Sequence, residues 1–127
     1  MARSRDFDEG ETLVRVGEVF ARFGYAGTSI DQLVQATGLK RGSLYQAFAS
    51  KAGLFRNAFR HLVEAGEDPG VIADLVVVAY WERASADQTV RSVLDSAVSR
   101  LERLHDRPVA EIVFDRLSRR ARNGQEQ

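Results

Sequence analysis

Apolar residues recur every three or four positions along most of the chain, the spacing that places side chains on one face of an α-helix. The first such face predicts a helix from about Glu9 to Phe23. Ser29 and Ser50 stand where helix N-caps are expected, and they predict the starts of a second and a fourth helix. The pattern between them predicts a third helix over about residues 40–48. The expected fold class is therefore all-α.

The second half of the chain is divided by residues that start or end helices. The segment GEDPG is a clear break, and its Asp68 and Pro69 predict the cap and first turn of a fifth helix. A capping-box match that begins at Ser85 predicts a sixth helix, and Pro108 separates it from a seventh. Residues 71–81 are apolar on most sides, so we expect the fifth helix to be buried among the others. A strand is compatible with the β-propensity of this stretch, but no partner strand is predicted.

The segment from Thr28 to Lys51 combines a short helix, a turn centred on Gly38, a further helix and a basic residue. This is the layout of a helix-turn-helix, which places its second helix in the major groove of DNA. Residues 32–63 contain no Asp or Glu but five Lys and Arg side chains, although the formal net charge of the chain is zero. A local positive surface on a neutral protein suits a polyanionic partner.

The same segment resembles the N-terminal domain of the TetR family of bacterial transcriptional regulators. The matching text, residues 20–55, is FARFGYAGTSIDQLVQATGLKRGSLYQAFASKAGLF. The resemblance implies a three-helix helix-turn-helix DNA-binding domain over residues 1–50. It implies a helical dimerisation and possible effector-binding region over residues 51–127. Family members carry a longer C-terminal region, so a spacious ligand cavity is not expected here.

Several residue types in this segment suit contact with double-stranded DNA. Lys and Arg reach guanine edges or phosphates, and free N–H groups at a helix N-terminus attract anions. Gly42 lets the backbone approach DNA, at a cost of about 1 kcal/mol of helix stability relative to Ala. The resemblance implies that the Tyr45 hydroxyl meets a phosphate and that Gln46 reads a base. The candidate set is Thr28, Ser29, Lys40, Arg41, Gly42, Ser43, Tyr45, Gln46 and Lys51. The alternatives are simple capping for the Thr-Ser pair, solvated charge for the basic residues and core packing for the tyrosine.

The C-terminal helices are expected to join two copies of the chain. A single helix-turn-helix reads few base pairs, so specificity requires a homodimer on a palindromic operator. The apolar stripes assigned to the dimer surface contain Leu94, Val98, Leu101, Ile112 and Val113. Tyr80 and Trp81 are the candidates for lining a small apolar effector site, because aromatic rings offer wide apolar faces. Ordinary core or interface packing is an equal alternative for both aromatics.

Composition argues against several other classes of function. The chain has no cysteine, and its two histidines have no carboxylate companions at ligand spacing, so no metal or cofactor is expected. No phosphate loop, nucleophile elbow or carboxylate pair indicates an enzyme. The N-terminus lacks the apolar run of a signal peptide, and the longest apolar run, residues 75–81, is too short to cross a membrane. We therefore expect a cytoplasmic DNA-binding regulator, most simply a repressor. The alternatives are a DNA-binding protein that recruits a protein partner without a small effector, and a purely helical interaction module.

Overall fold

The computed structural model describes residues 7–125, which form seven α-helices, one π-helical turn and no strand. The helices are α1 (Glu9–Phe23), α2 (Ile30–Thr37), α3 (Arg41–Phe48), α4 (Lys51–Ala65), α5 (Pro69–Val78), α6 (Gln88–His105) and α7 (Val109–Gln125). The π turn (Ala79–Arg83) continues α5 directly. The expected all-α class is confirmed. None of the helices in this described range has both the length and the apolar character of a membrane span.

Most of the predicted helix ends are confirmed, because they depend on side chains only a few residues away. Ser29 and Gln32 form the expected reciprocal capping box at α2, and Gly38 ends that helix with a φ of 75°. Asp68 caps α5 through the backbone N–H of Val71. The predicted cap at Ser85 is wrong. α6 begins two residues later, where Asp87 accepts the backbone N–H of Val90 at 3.2 Å.

The core is built around α1, which packs against α4 and α5, while α4 packs in turn against α6. The short helices α2 and α3 contact each other. α2 also packs against α1, and α3 packs against α4. Each of them contributes a fully buried leucine, Leu33 from α2 and Leu44 from α3. One continuous apolar cluster therefore joins the helix-turn-helix to the C-terminal helices.

Two expectations about the second half of the chain are wrong. The fifth helix is not buried along its whole length, since Tyr80 and Trp81 on the π turn are 59% and 87% exposed. Conversely, Leu94, Leu101 and Ile112 are buried in the chain's own core, so they cannot face a second copy. Most of the apolar stripe of α6 is thus buried within one chain, whereas Leu104 of α6 and Leu117 of α7 stay exposed.

A buried carboxylate ties α4 to the start of α6. Asp87 is 7% exposed, and its Oδ2 accepts hydrogen bonds from Arg56 Nε at 3.1 Å and Nη2 at 2.9 Å. Arg83 Nη2 lies 3.9 Å from the same oxygen. Burial raises the pKa of Asp87, but the hydrogen bonds from Arg56 and from the backbone of Val90 outweigh it. The pKa of this carboxyl therefore lies below its ordinary value.

Replacing this carboxylate should destabilise the fold in a pH-dependent way. We expect Asp87→Asn to lower the free energy of unfolding by about 2 kcal/mol at neutral pH, because Asn keeps the cap but leaves Arg56 unpaired. A folded-state pKa below the unfolded value of about 3.9 means that this contribution is present above that pH. It is lost as the pH falls through the folded pKa. The difference between wild type and variant in urea titrations should therefore shrink below about pH 4.

Asp8→Asn is the matched control, because Asp8 is an exposed helix cap that accepts the backbone N–H of Glu11 at 3.0 Å and has no arginine among its described contacts. Asn is an equally good cap, so the control should change the free energy of unfolding by less than about 0.5 kcal/mol. Equal losses in the two variants would assign the effect at Asp87 to capping rather than to its ion pair.

Candidate DNA-binding surface

The turn before α2 places the two predicted N-terminal residues differently. Ser29 is exposed, and its hydroxyl accepts the backbone N–H of Gln32 at 3.1 Å. Thr28 is only 2% exposed, and its hydroxyl donates to the carbonyl oxygen of Gly24 at 2.6 Å. The inclusion of the Thr28 side chain in the candidate surface is therefore corrected. It holds the turn between α1 and α2, while Ser29 stands at the surface.

The third helix presents a polar face and is anchored by an apolar one. Leu44 and Phe48 are buried and hold α3 against the core. Lys40 is the N-cap residue of the helix, and its side chain makes no capping hydrogen bond. The outward face consists of exposed Lys40, Arg41, Gly42 and Gln46, with half-buried Ser43 and Tyr45 beside them. The structure thus brings six of the predicted residues together on one helix.

Fewer basic side chains extend from this surface than the five that the sequence contains between residues 32 and 63. Arg56 is bound to Asp87, and Arg60 Nη2 donates to the side-chain oxygen of Asn57 at 2.9 Å, so both are engaged within the chain. Arg41 lies 3.5 Å from Asp31, but both side chains are mostly exposed, and such a pair contributes little. The cations left for the surface are those of Lys40, Arg41 and Lys51.

Lys51 is positioned by an aromatic ring. It is the first residue of α4, and its Nζ lies 4.7 Å from the ring centroid of Tyr25. A lysine at a helix N-terminus opposes the helix dipole, so this ring compensates an unfavourable position. The Tyr25 ring is itself fixed by stacking on Phe20 and by an edge contact with Phe55, each with centroids 5.8 Å apart.

Glu82 is a residue that the sequence pattern missed. Its carboxylate accepts the backbone N–H of Tyr25 at 3.0 Å and that of Ala26 at 2.9 Å. The acceptor lies 57 residues from Tyr25 in sequence. Nothing in the local pattern around Glu82 announces this contact, because only packing of the π turn beside the α1–α2 turn creates it.

The two predicted effector residues lie on a separate apolar groove between the end of α5, the π turn and α7. The groove has a volume of about 360 Å³ and is open to solvent. Its lining consists of Val76, Val77, Tyr80, Trp81, Val109, Ala110, Val113 and Leu117. The size is near the lower range of small-molecule sites. Within the described part of the chain, no group of three or more His, Asp or Glu side chains is placed to hold a metal ion.

Comparison with known proteins agrees with the geometry of α2 and α3. Residues 17–58 match the family model described as bacterial regulatory proteins, tetR family. The helix-turn-helix region of this chain is therefore similar to that of the tetR family. The match extends from the middle of α1 into α4 and includes every predicted DNA-contacting residue.

The chain is also similar to two curated proteins. One is the uncharacterized HTH-type transcriptional regulator YezE of Bacillus subtilis (strain 168), 32% identical over 101 residues, which are 80% of this chain and 49% of that protein. The other is the HTH-type transcriptional repressor ComR of Escherichia coli (strain K12), which is 43% identical over 54 residues. These residues are 42% of this chain and 26% of that protein. The chain therefore spans about half the length, or less, of these relatives. No solved structure gives a significant match.

At Gly42 a single substitution is expected to change protein stability and DNA affinity in opposite directions. A Cβ built there meets no atom within 4 Å, so Gly42→Ala should stabilise the protein by about 0.5–1 kcal/mol, the gain in helix propensity. We expect the variant to bind DNA more weakly, because its methyl group would stand between the α3 backbone and the duplex. Thermal unfolding and operator titration measure the two effects.

Gly38→Ala is the contrasting control. Gly38 also has open space around it, but its φ of +75° is strained for Ala, so this variant should lose about 1 kcal/mol of stability. If Gly42→Ala binds operator DNA as tightly as wild type, the α3 backbone does not approach DNA at this position.

Proposed function

We propose that this protein is a transcriptional regulator that binds double-stranded DNA through α3, as a homodimer on a palindromic operator. The observation that carries the proposal is the polar outer face of α3, held on a rigid core by Leu44 and Phe48 and located inside the tetR-family match. A repressor role is the simplest form of regulation, and one of the relatives is named a repressor. Binding of α3 across the major groove would by itself block access of other proteins to the site.

The positions on this surface support two kinds of contact. Arg41 and Gln46 are exposed on the outer face of α3, where a guanidinium suits guanine and a carboxamide suits adenine. Ser29 and Lys51 lie at helix N-termini, and Tyr45 carries a hydroxyl on the second half of α3, so all three suit the phosphate backbone. Base contacts would set the operator sequence, and phosphate contacts would fix the register of the protein on the duplex.

Removing one contact of each kind tests these roles. Operator fragments are first selected from genomic DNA with the wild-type protein. Arg41→Ala should then cost about 1–3 kcal/mol at one base pair and relax specificity there, if the guanidinium reads a base. Tyr45→Phe should weaken binding evenly across operator variants, because it removes only a phosphate partner. Arg103→Ala, which removes an exposed arginine of α6, is the matched control and should bind normally.

Normal operator binding by both the Arg41 and Tyr45 variants would refute the assignment of α3 as the recognition helix. A salt titration on random duplex separates the remaining function classes. A DNA-binding protein loses affinity steeply as salt rises, whereas a purely helical interaction module shows no such binding. A DNA-binding protein that acts by recruiting a protein partner would pass the salt test, but no small-molecule effector would release it from its operator.

The proposed dimer surface is the exposed apolar region around the π turn and α7. Six large apolar side chains are exposed within residues 7–124, and five of them lie in the second half of the chain. These five are Tyr80, Trp81, Leu104, Phe114 and Leu117. Apolar exposure of this kind marks an interaction surface, and a nearly bare Trp is a favoured anchor for one. We assign a second copy as the occupant, because Leu104 and Phe114 are exposed outside the groove, where a small molecule bound in the groove would leave them uncovered.

Charge substitutions on this surface should separate the copies without unfolding them. Trp81→Glu and Phe114→Glu place a charge on a side chain that is 87% or 68% exposed in one chain, so helicity should be retained. Burying that charge between copies is costly, so sedimentation should show monomers and a large loss of operator affinity. Phe23→Glu, an equally large exposed side chain on α1, is the control and should remain dimeric.

A wild-type protein that stays monomeric at tens of micromolar, or a dimeric Trp81→Glu variant, would contradict this surface. A small apolar effector is the competing occupant of the groove. Thermal stabilisation by such a compound, lost in a folded Trp81→Ala variant and accompanied by operator release, would favour the effector over the second copy.

A further inference from the structure

We propose that Glu82 is a positioning residue for DNA binding. Its carboxylate fixes the turn between α1 and α2, and through Tyr25 it sets the place of Lys51 and of the α2 N-terminus. The inference rests on the proposed function, since it concerns how the same surface is held in register. Glu82 is not itself on that surface. It lies on the π turn, which also carries the exposed Tyr80 and Trp81.

The turn that Glu82 holds has unusual backbone requirements. Gly24 has a φ of +81°, and a Cβ there would stand 3.0 Å from the Glu82 Oε2 atom. A Cβ at Gly27 would collide with the carbonyl oxygen of Phe23. Inside the turn, Thr28 donates through its backbone N–H to the Tyr25 carbonyl at 3.3 Å and through its hydroxyl to Gly24. The N–H groups of Tyr25 and Ala26 point outward from the turn to the two oxygens of Glu82.

Two neighbouring side chains of the π turn, those of Glu82 and Arg83, contact Tyr25. Glu82 holds the backbone of Tyr25, and the guanidinium of neighbouring Arg83 lies 4.3 Å from the Tyr25 ring centroid. The Lys51 ammonium lies 4.7 Å from that centroid. A displacement of Tyr25 would therefore displace the ring that the Lys51 ammonium contacts, as well as the start of α2. The bidentate arrangement also involves a charged acceptor, which makes stronger hydrogen bonds than a neutral one.

The π turn explains how Glu82 and Arg83 are presented together. In this turn the Ala84 N–H donates to the carbonyl of Ala79, five residues earlier, at 2.8 Å. The wider turn changes the angular spacing of the side chains that follow α5. Ala79 remains buried in the core, while Glu82 and Arg83 are half-buried beside the α1–α2 turn. Single π turns of this kind are frequent at functional sites.

The test is operator binding by Glu82→Ala over a range of salt concentrations. With Tyr25 released from Glu82, we expect the Lys51–phosphate contact to be lost and operator affinity to fall about tenfold. The slope of log affinity against log salt should also fall by about one per protomer, because the Lys51–phosphate contact is lost. A variant that is merely less stable keeps the wild-type slope, so the slope distinguishes positioning from loss of folded protein.

A double-mutant cycle with Lys51→Ala completes the test. We expect the double variant to bind no worse than about twofold below Lys51→Ala, because the two changes remove the same contact. Glu82→Gln should restore part of the affinity, since its carboxamide oxygen can still accept one of the two N–H groups. Glu102→Ala is the matched control. Glu102 also accepts a backbone N–H, that of Val109 at 2.9 Å, but it lies at the end of α6.

A folded Glu82→Ala variant with the wild-type salt slope, or full additivity with Lys51→Ala, would overturn the inference. If Glu82→Ala does not fold, the same slope and cycle are measured with Glu82→Gln. Failure of the proposed function has a different result, in which the wild-type protein itself shows no salt-dependent DNA binding.

Discussion

The contact between α1 and α4, centred on Phe20 and Phe55, is the interaction on which the rest of the structure depends. Both rings are fully buried, and they meet edge to face with centroids 5.2 Å apart. α2 and α3 have eight residues each, too few to be stable alone in water. They persist because Leu33 and Leu44 pack onto the platform that α1 and α4 provide. This anchorage leaves the outer face of α3 free to carry polar residues.

The same platform makes the two halves of the chain interdependent. The sequence places a functional boundary near residue 50, and the candidate DNA-contacting residues lie at or before Lys51. The apolar core, however, passes without a break from α1 and α4 into α5 and α6. The ion pair between Arg56 and Asp87 and the bond from Glu82 to Tyr25 also cross that boundary. A change in the second half can therefore reach the helix-turn-helix through direct contacts.

The basic side chains of the two halves of the chain have different roles. Two arginines of α7 join helices to one another. Arg116 binds Asp74 through two hydrogen bonds, and Arg120 donates to the carbonyl oxygens of Ala21 and Arg22 at the end of α1. The bond from Arg120 satisfies carbonyl groups that a helix end leaves without partners. These two arginines hold helices together, whereas Lys40, Arg41 and Lys51 form a small basic surface at α3 and the start of α4.

The sequence by itself determined the helices, most of their ends and the family of the helix-turn-helix. These features depend on side chains within four residues of one another, as at Ser29, Gly38 and Asp68. The tertiary structure alone decided that Thr28 is buried, that Trp81 is exposed and that Glu82 reaches Tyr25. Periodicity identifies an apolar face but not the neighbour that covers it. Contacts between residues distant in sequence exist only once the helices have packed.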